Sequence, residues 1–172
     1  KDSLKFLGAE IKNEVKHLDY EITEDCNIRL LDISDKDGHR IYVRTLCYIY
    51  IKACKDIFNN CDITIEHSLS KGIYSEIHSK DRIVPGDVKK IIKRMNEIIE
   101  SNIEIKREQI ETKKAKEIFL EQNMQDKVRL LDHVTKEKVH IYSLKNFYDT
   151  YYGYLAPSTG YIDKFNLVYY HP

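Results

Sequence analysis

From Tyr42 to Phe58 the chain carries two adjacent apolar stripes. Tyr42, Leu46, Ile49, Ala53 and Ile57 recur at helical spacing, and Cys47, Ile51, Cys54 and Phe58 run beside them. A helix with both stripes has little left for water, here Thr45, Lys52, Lys55 and Asp56, so it must be covered on most sides. It is expected to be the central helix of the larger domain, ended by Asn59-Asn60. With 172 residues the chain holds one domain or two small ones and can bury a sizeable core.

The elements on either side change period. Ala9, Ile11 and Val15 alternate around the polar turn Lys12-Asn13-Glu14, and 27–33 reads as a strand from its Ile and Leu content. Ser34 to Gly38 is a turn and a domain boundary. Two strands, Ile63 to Glu66 and Ile73 to Ile77, form a hairpin across 68–72. Pro85-Gly86-Asp87 opens a helix, with Asp87 as N-cap and Val88, Ile91, Ile92, Met95, Ile98 and Ile99 on one face. A half-buried strand spans 103–110. A helix capped by Thr112 follows, with Ala115, Ile118 and Phe119 inside, then a short helix at Val128 and Leu131. Further strands are expected at 139–142 and at 161–170, after a turn at 157–160. Hairpins with covering helices make an α+β fold: an antiparallel sheet, a long central helix and covering helices.

Charge excludes several functions. There are 28 Lys and Arg against 28 Asp and Glu, so the chain as a whole is neither a basic nucleic-acid glove nor an acidic tail. No apolar run has membrane-spanning length and no apolar signal region opens the chain. A cytoplasmic location and no membrane partner are expected. The chain does not begin with Met and is expected to be part of a longer protein. Cys26, Cys47, Cys54 and Cys61 form no CxxC pair, and reduced, structural thiols are expected. No two glycines stand at dinucleotide-fold spacing and none precedes Lys-Ser or Lys-Thr, so neither a Rossmann fingerprint nor a Walker A loop is present.

The order of elements from Asn27 to Asp132 resembles the N-terminal half of threonyl-tRNA synthetases. Its markers are the acidic turn Asp35-Lys36-Asp37-Gly38 before the long helix, Gly72-Ile73-Tyr74, Gly86-Asp87-Val88, Lys93-Arg94-Met95 and Lys127-Val128-Arg129-Leu130-Leu131-Asp132. The resemblance implies a partial TGS (β-grasp) domain at 1–36, without its first hairpin. It implies at 37–172 the second additional, tRNA-editing-like domain of threonyl- and alanyl-tRNA synthetases. A half β-grasp leaves an unpaired edge, so residues 1–36 are expected to pack on the larger domain or on a neighbouring chain. Ile65 to Tyr74 and Phe147 to Tyr161 also resemble bacterial nucleoside kinases of the uridine type, which carry the same two modules ahead of a P-loop kinase domain. That likeness makes the C-terminal kinase domain of the same protein a partner. It puts ATP and magnesium in that absent domain, with no cofactor in this chain.

The same resemblance identifies the decisive positions. Editing domains place two histidines at i and i+4 on the long helix and a Cys and a His four residues apart near the end. Here those positions hold Arg44 and Tyr48, then Tyr151 and Leu155 ahead of Pro157. Arg stays protonated and Leu has no donor atom, so no metal and no catalytic residues are expected. The expectation is a binding or regulatory module for RNA, a nucleotide or a partner, with a tRNA-deacylating hydrolase as the alternative and a homo-oligomer also allowed. The candidate cleft residues are Arg44, Tyr48, His67, Ser68, Lys71, Tyr148, Asp149, Tyr151 and Tyr152. Two roles stay open for several of them. Arg44 binds an anion or pairs with Asp149, Tyr48 stacks on a base or packs, and His67, Ser68 and Lys71 touch phosphate or form a polar turn. The aromatics of the last third have only Lys145, Lys164 and His171 beside them in sequence, so core and interface roles are expected. The runs Lys89 to Arg94 and Lys113 to Lys116 are read as solvated helix faces.

Overall fold

The computed structural model describes residues 5–58, 61–69, 72–80 and 82–170, with the backbone alone at 67–69. Among these residues the fold is α+β, with small antiparallel sheets and four helices. The first sheet joins β1 (Gly8–Ile11), β2 (Glu14–Lys16) and β3 (Ile28–Leu31) in the order β2-β1-β3. Lys12 and Asn13, at φ +52° and +62°, turn β1 into β2 with both residues left-handed, the geometry that matches strand twist in a two-residue hairpin.

Helix α1 (Lys36–Ile57) is the spine. Ile41, Tyr48, Ile49, Ala53 and Cys54 are completely covered. Against it pack α2 (Pro85–Glu100) and the hairpin of β4 (Asp62–Leu69) with β5 (Gly72–His78). A second three-stranded sheet, β6-β7-β8, comprises β6 (Lys106–Glu111), β7 (Lys138–Leu144) and β8 (Phe147–Asp149). The β6–β7 crossover carries α3 (Thr112–Glu121) and α4 (Gln125–Asp132). The Tyr48 hydroxyl lies 3.0 Å from both the Tyr142 and Phe147 carbonyl oxygens and so fastens α1 to the β7–β8 turn.

The first sheet lies on α1: Leu7 joins the main core with Ile41 and Tyr42, and Lys5 Nζ donates to the Gly160 carbonyl at 2.6 Å. The residues just before β1 thus tie the first sheet to the larger body.

Several expectations are corrected. Residues 36–38 belong to α1, not to a turn before it. Thr45 is fully buried instead of exposed: its hydroxyl donates to the Ile41 carbonyl and accepts the Ala156 N–H, both at 2.8 Å. Asp87 is the third residue of α2, after the cap residue Val84, and its carboxylate accepts the Val84 N–H at 3.0 Å. The hairpin strands run through Leu69 and from Gly72, so Ser68 is strand and not loop. The expected helix end at Asn59-Asn60 lies outside the described residues; α1 closes at Ile57. Strand β8 was not expected. Residues 161–170 form no strand, only a 3-10 turn (Thr159–Tyr161) and an irregular strap. Tyr42 explains the strap. Its hydroxyl donates to the Lys164 carbonyl at 2.6 Å and accepts the N–H groups of Asp163 and Lys164, taking backbone groups a partner strand would otherwise take.

Gly38 marks where β3 meets α1: a Cβ there would stand 1.8 Å from the Asp32 carbonyl oxygen, a backbone atom that cannot step aside. Gly38→Ala is therefore expected to cost at least about 2 kcal/mol, read as a lowered urea midpoint. An unchanged midpoint would show that β3 and α1 are not locked at this contact.

Candidate functional site

A cleft of about 580 Å³ opens between α1, the β4–β5 hairpin, the start of α4 and the end of β8. Helical spacing sends Arg44, Cys47, Ile51 and Lys55 from α1 into it. Arg44 is half-buried and has no carboxylate partner among the described residues. Burial, and then the neighbouring Arg40, hold its guanidinium below the usual arginine range. Both causes disfavour an isolated positive charge. Gly153 lets Arg44 sit there. It has φ +95°, and a Cβ would stand 2.7 Å from Arg44 Nη1. The turn thus needs glycine for its backbone angle, and the flexible end of the Arg44 side chain lies against it.

The floor of the cleft is Asp149, Tyr151 and Lys127. Asp149 is fully buried. Its Oδ1 is 3.0 Å from Lys127 Nζ and accepts the Thr150 N–H at 2.7 Å, whereas Oδ2 has no hydrogen-bond partner. Burial pushes the carboxyl upward, and Lys127 opposes that shift. The Tyr151 hydroxyl is also buried without a hydrogen-bond partner. Burial and then the Asp149 charge push its ionisation well above the phenol range. Lys127 Nζ stands 5.6 Å from the centre of the Tyr151 ring. Asp149, Tyr151 and Lys127 thus form a largely buried polar cluster under the cleft, with the phenol set beside the carboxylate.

The cleft has no activated nucleophile among these groups. Burial pushes the Cys47 thiol up to about 11, so it stays protonated at neutral pH. The four positions that the sequence resemblance singles out are Arg44, Tyr48, Tyr151 and Leu155. Arg44 and Tyr151 line the cleft, Tyr48 stands behind it with its ring 5.7 Å from that of Tyr151, and Leu155 is fully buried in the core. A guanidinium, two protonated phenols and an isobutyl group do not fit a metal ion. Among the described residues no three His, Cys, Asp or Glu side chains gather to hold one.

The other sequence candidates fall elsewhere. Tyr48 is a core residue with its hydroxyl bonded to backbone, so it offers no stacking face. Asp149 pairs with Lys127, not with Arg44. The backbone of Tyr148 is paired by Gln122, whose amide accepts the Tyr148 N–H at 2.9 Å and donates to its carbonyl at 3.0 Å, outside the cleft. Tyr152 points outward and is 91% exposed. His67 and Ser68 lie in β4 with side chains outside the described residues, and Lys71 lies outside them altogether. Lys127 and Arg129 were missed as site residues. They reach the cleft from α4, about eighty residues after Arg44 in the chain, and no local spacing joins the two.

No family model matches the chain. It is 30% identical over 159 residues to a threonine–tRNA ligase of Clostridium kluyveri, covering 92% of this chain and 25% of the ligase. It is 31% identical over 163 residues to that of Rickettsia akari, covering 94% and 26%. It is 28% identical over 163 residues to that of Symbiobacterium thermophilum, covering 94% and 25%. The chain thus spans about a quarter of the length of the curated relatives it matches. No described helix is long and apolar enough to cross a membrane.

The buried pair gives a pH signature. Because the folded Asp149 carboxyl titrates above its ordinary 3.8, the folded state holds a proton that the unfolded chain has lost. Its contribution to stability is therefore fully present below that value and is lost as pH rises through the folded pKa. Lys127→Met removes the opposing cation and enlarges the effect. The variant should lose about 3 kcal/mol near pH 7 and much less near pH 4 in urea titrations. An equal loss at both pH values would show that Lys127 acts by packing alone.

Proposed function

We propose that this chain is a non-catalytic binding module, related to the editing-like portion of threonyl-tRNA synthetases, whose cleft takes the anionic group of a nucleotide or of an RNA end. Arg44 carries the reading. A half-buried guanidinium without a carboxylate, beside a second arginine, is stabilised by a bound phosphate or carboxylate, which its planar fork accepts through two hydrogen bonds. Asp149, Tyr151 and Lys127 lie beneath that group and hold the cleft's polar floor in place. With Cys47 protonated and the tyrosine phenols un-ionised, these groups bind and orient without attacking.

In the finer form of this reading the module precedes a P-loop domain that phosphorylates uridine or a related nucleoside. ATP and magnesium serve that domain, and the module acts as its regulatory or docking partner in a cytoplasmic protein. The stretches Ile65 to Tyr74 and Phe147 to Tyr161 support that form. The alternative, deacylation of mischarged tRNA with a remodelled site, is favoured by one observation: more than nine-tenths of the chain is similar to threonine–tRNA ligases.

Calorimetric titration with UMP, ATP, pyrophosphate and a non-hydrolysable threonyl-adenylate analogue tests the choice, alongside a deacylation assay with mischarged tRNA. At least one of these anions should bind, raising the melting temperature by mass action. Arg44→Ala should weaken it tenfold or more, about the worth of one or two charge-assisted hydrogen bonds. Turnover of mischarged tRNA above the uncatalysed rate would replace this reading with the hydrolase.

A further inference from the structure

A second hollow, of about 600 Å³, lies on the other side of the 151–154 turn, and its lining is one-sided in charge. Arg107 from β6, Lys138 and His140 from β7, and His133 and Lys136 from the loop before β7 line it, and no carboxylate does. The register of β6 against β7 makes this so. Arg107 pairs opposite Tyr142, and period-two alternation returns His140 and Lys138 to the same face. Glu111, opposite Lys138, makes no ion pair with it. None of the five basic side chains has an ion-pair partner among the described residues, in a chain whose total charge is zero. The imidazole of His140 is held below its usual range first by burial and then by Arg107 and Lys136, so its charged neighbours are cations.

Aromatic faces adjoin these cations. Tyr152, with 91% of its surface exposed, makes no packing contribution that would explain a phenol in water. Arg107 lies 5.0 Å from the centre of the Tyr154 ring, and Tyr154 edges the same hollow. An exposed ring beside cations without ion-pair partners is what a strand of stacked bases with a phosphate backbone requires. A duplex would hide its base faces and leave Tyr152 idle.

We propose that this face is a binding surface for single-stranded nucleic acid, in which a base stacks on Tyr152 while the flanking phosphates lie along Arg107, Lys136 and Lys138. The surface is separate from the Arg44 cleft and needs no ligand there.

Fluorescence anisotropy with labelled ten-nucleotide poly-A strands, in RNA and DNA forms, tests it against a blunt duplex of the same length. The single strands should bind more tightly than the duplex. Log affinity should fall with log salt at a slope near −1.4 to −2, about −0.7 for each of two or three phosphates. Tyr152→Ala should weaken binding about tenfold at every salt concentration. The double variant Lys136→Glu, Lys138→Glu should abolish most of the salt dependence. Lys93→Glu, on the exposed face of α2, should change nothing. Arg44→Ala should leave strand affinity intact, so failure of the cleft reading and failure of this one are distinguishable. Preference for RNA over DNA would add a 2′-hydroxyl contact to the same surface. Absence of binding at low salt, equal affinity for duplex, or indifference to Tyr152→Ala with circular dichroism unchanged would each overturn the proposal.

Discussion

Covering α1 on most sides is the constraint from which the rest of the architecture follows. A 22-residue helix with Ile41, Tyr48, Ile49, Ala53 and Cys54 completely removed from water leaves no single neighbour able to bury it. The helix is instead enclosed by α2, by the β4–β5 hairpin, by the sheet ending in β8 and by the small first sheet. Burying it also buries hydroxyls, and these become its fastenings. Thr45 and Tyr48 each reach backbone groups more than ninety residues away, tying the helix to the 155–156 segment and to the β7–β8 turn. A polar group inside a core stabilises only when its partners are fixed, so these bonds select one placement of the surrounding strands among many apolar ones.

That logic separates what could be read along the chain from what could not. Helices α1 and α2 were legible because their apolar positions repeat within one element; so were β3, the hairpin strands and β7. Thr45 was misjudged because a threonine on a helix looks like surface unless the Ala156 amide that binds it is known. Residues 161–170 looked like a strand from their aromatic alternation, yet strand formation depends on a neighbour. Here the Tyr42 hydroxyl, about 120 positions earlier, occupies that role. The site divides in the same way. Arg44 and Tyr151 were legible from a resemblance, whereas Lys127 and the whole basic face at Arg107, Lys136 and Lys138 were not. Tyr152 was judged poor in cations because only sequence neighbours were counted. The strands β6 and β7 bring the cations from 14 to 45 residues before it.

The cleft has its own internal economy of charge. Lys127 offsets the burial of Asp149, but one oxygen of that carboxylate and the hydroxyl of Tyr151 remain unpartnered. Arg44 stands without a carboxylate although Asp149 lies in the same cleft, because Lys127 already occupies that carboxylate and Gly153 holds the guanidinium against its own backbone. The folded chain thus gathers several polar groups in one enclosed place. A structure optimised for stability alone would have packed it with apolar side chains.

The turn 151–154 gives these two surfaces a common wall. Tyr151 faces the cleft, Tyr152 faces water, Gly153 supports Arg44, and Tyr154 meets Arg107. The Tyr142 hydroxyl holds the turn by donating to the Gly153 carbonyl at 3.0 Å. Alternating side chains on one short segment therefore face the Arg44 cleft on one side and the basic hollow on the other.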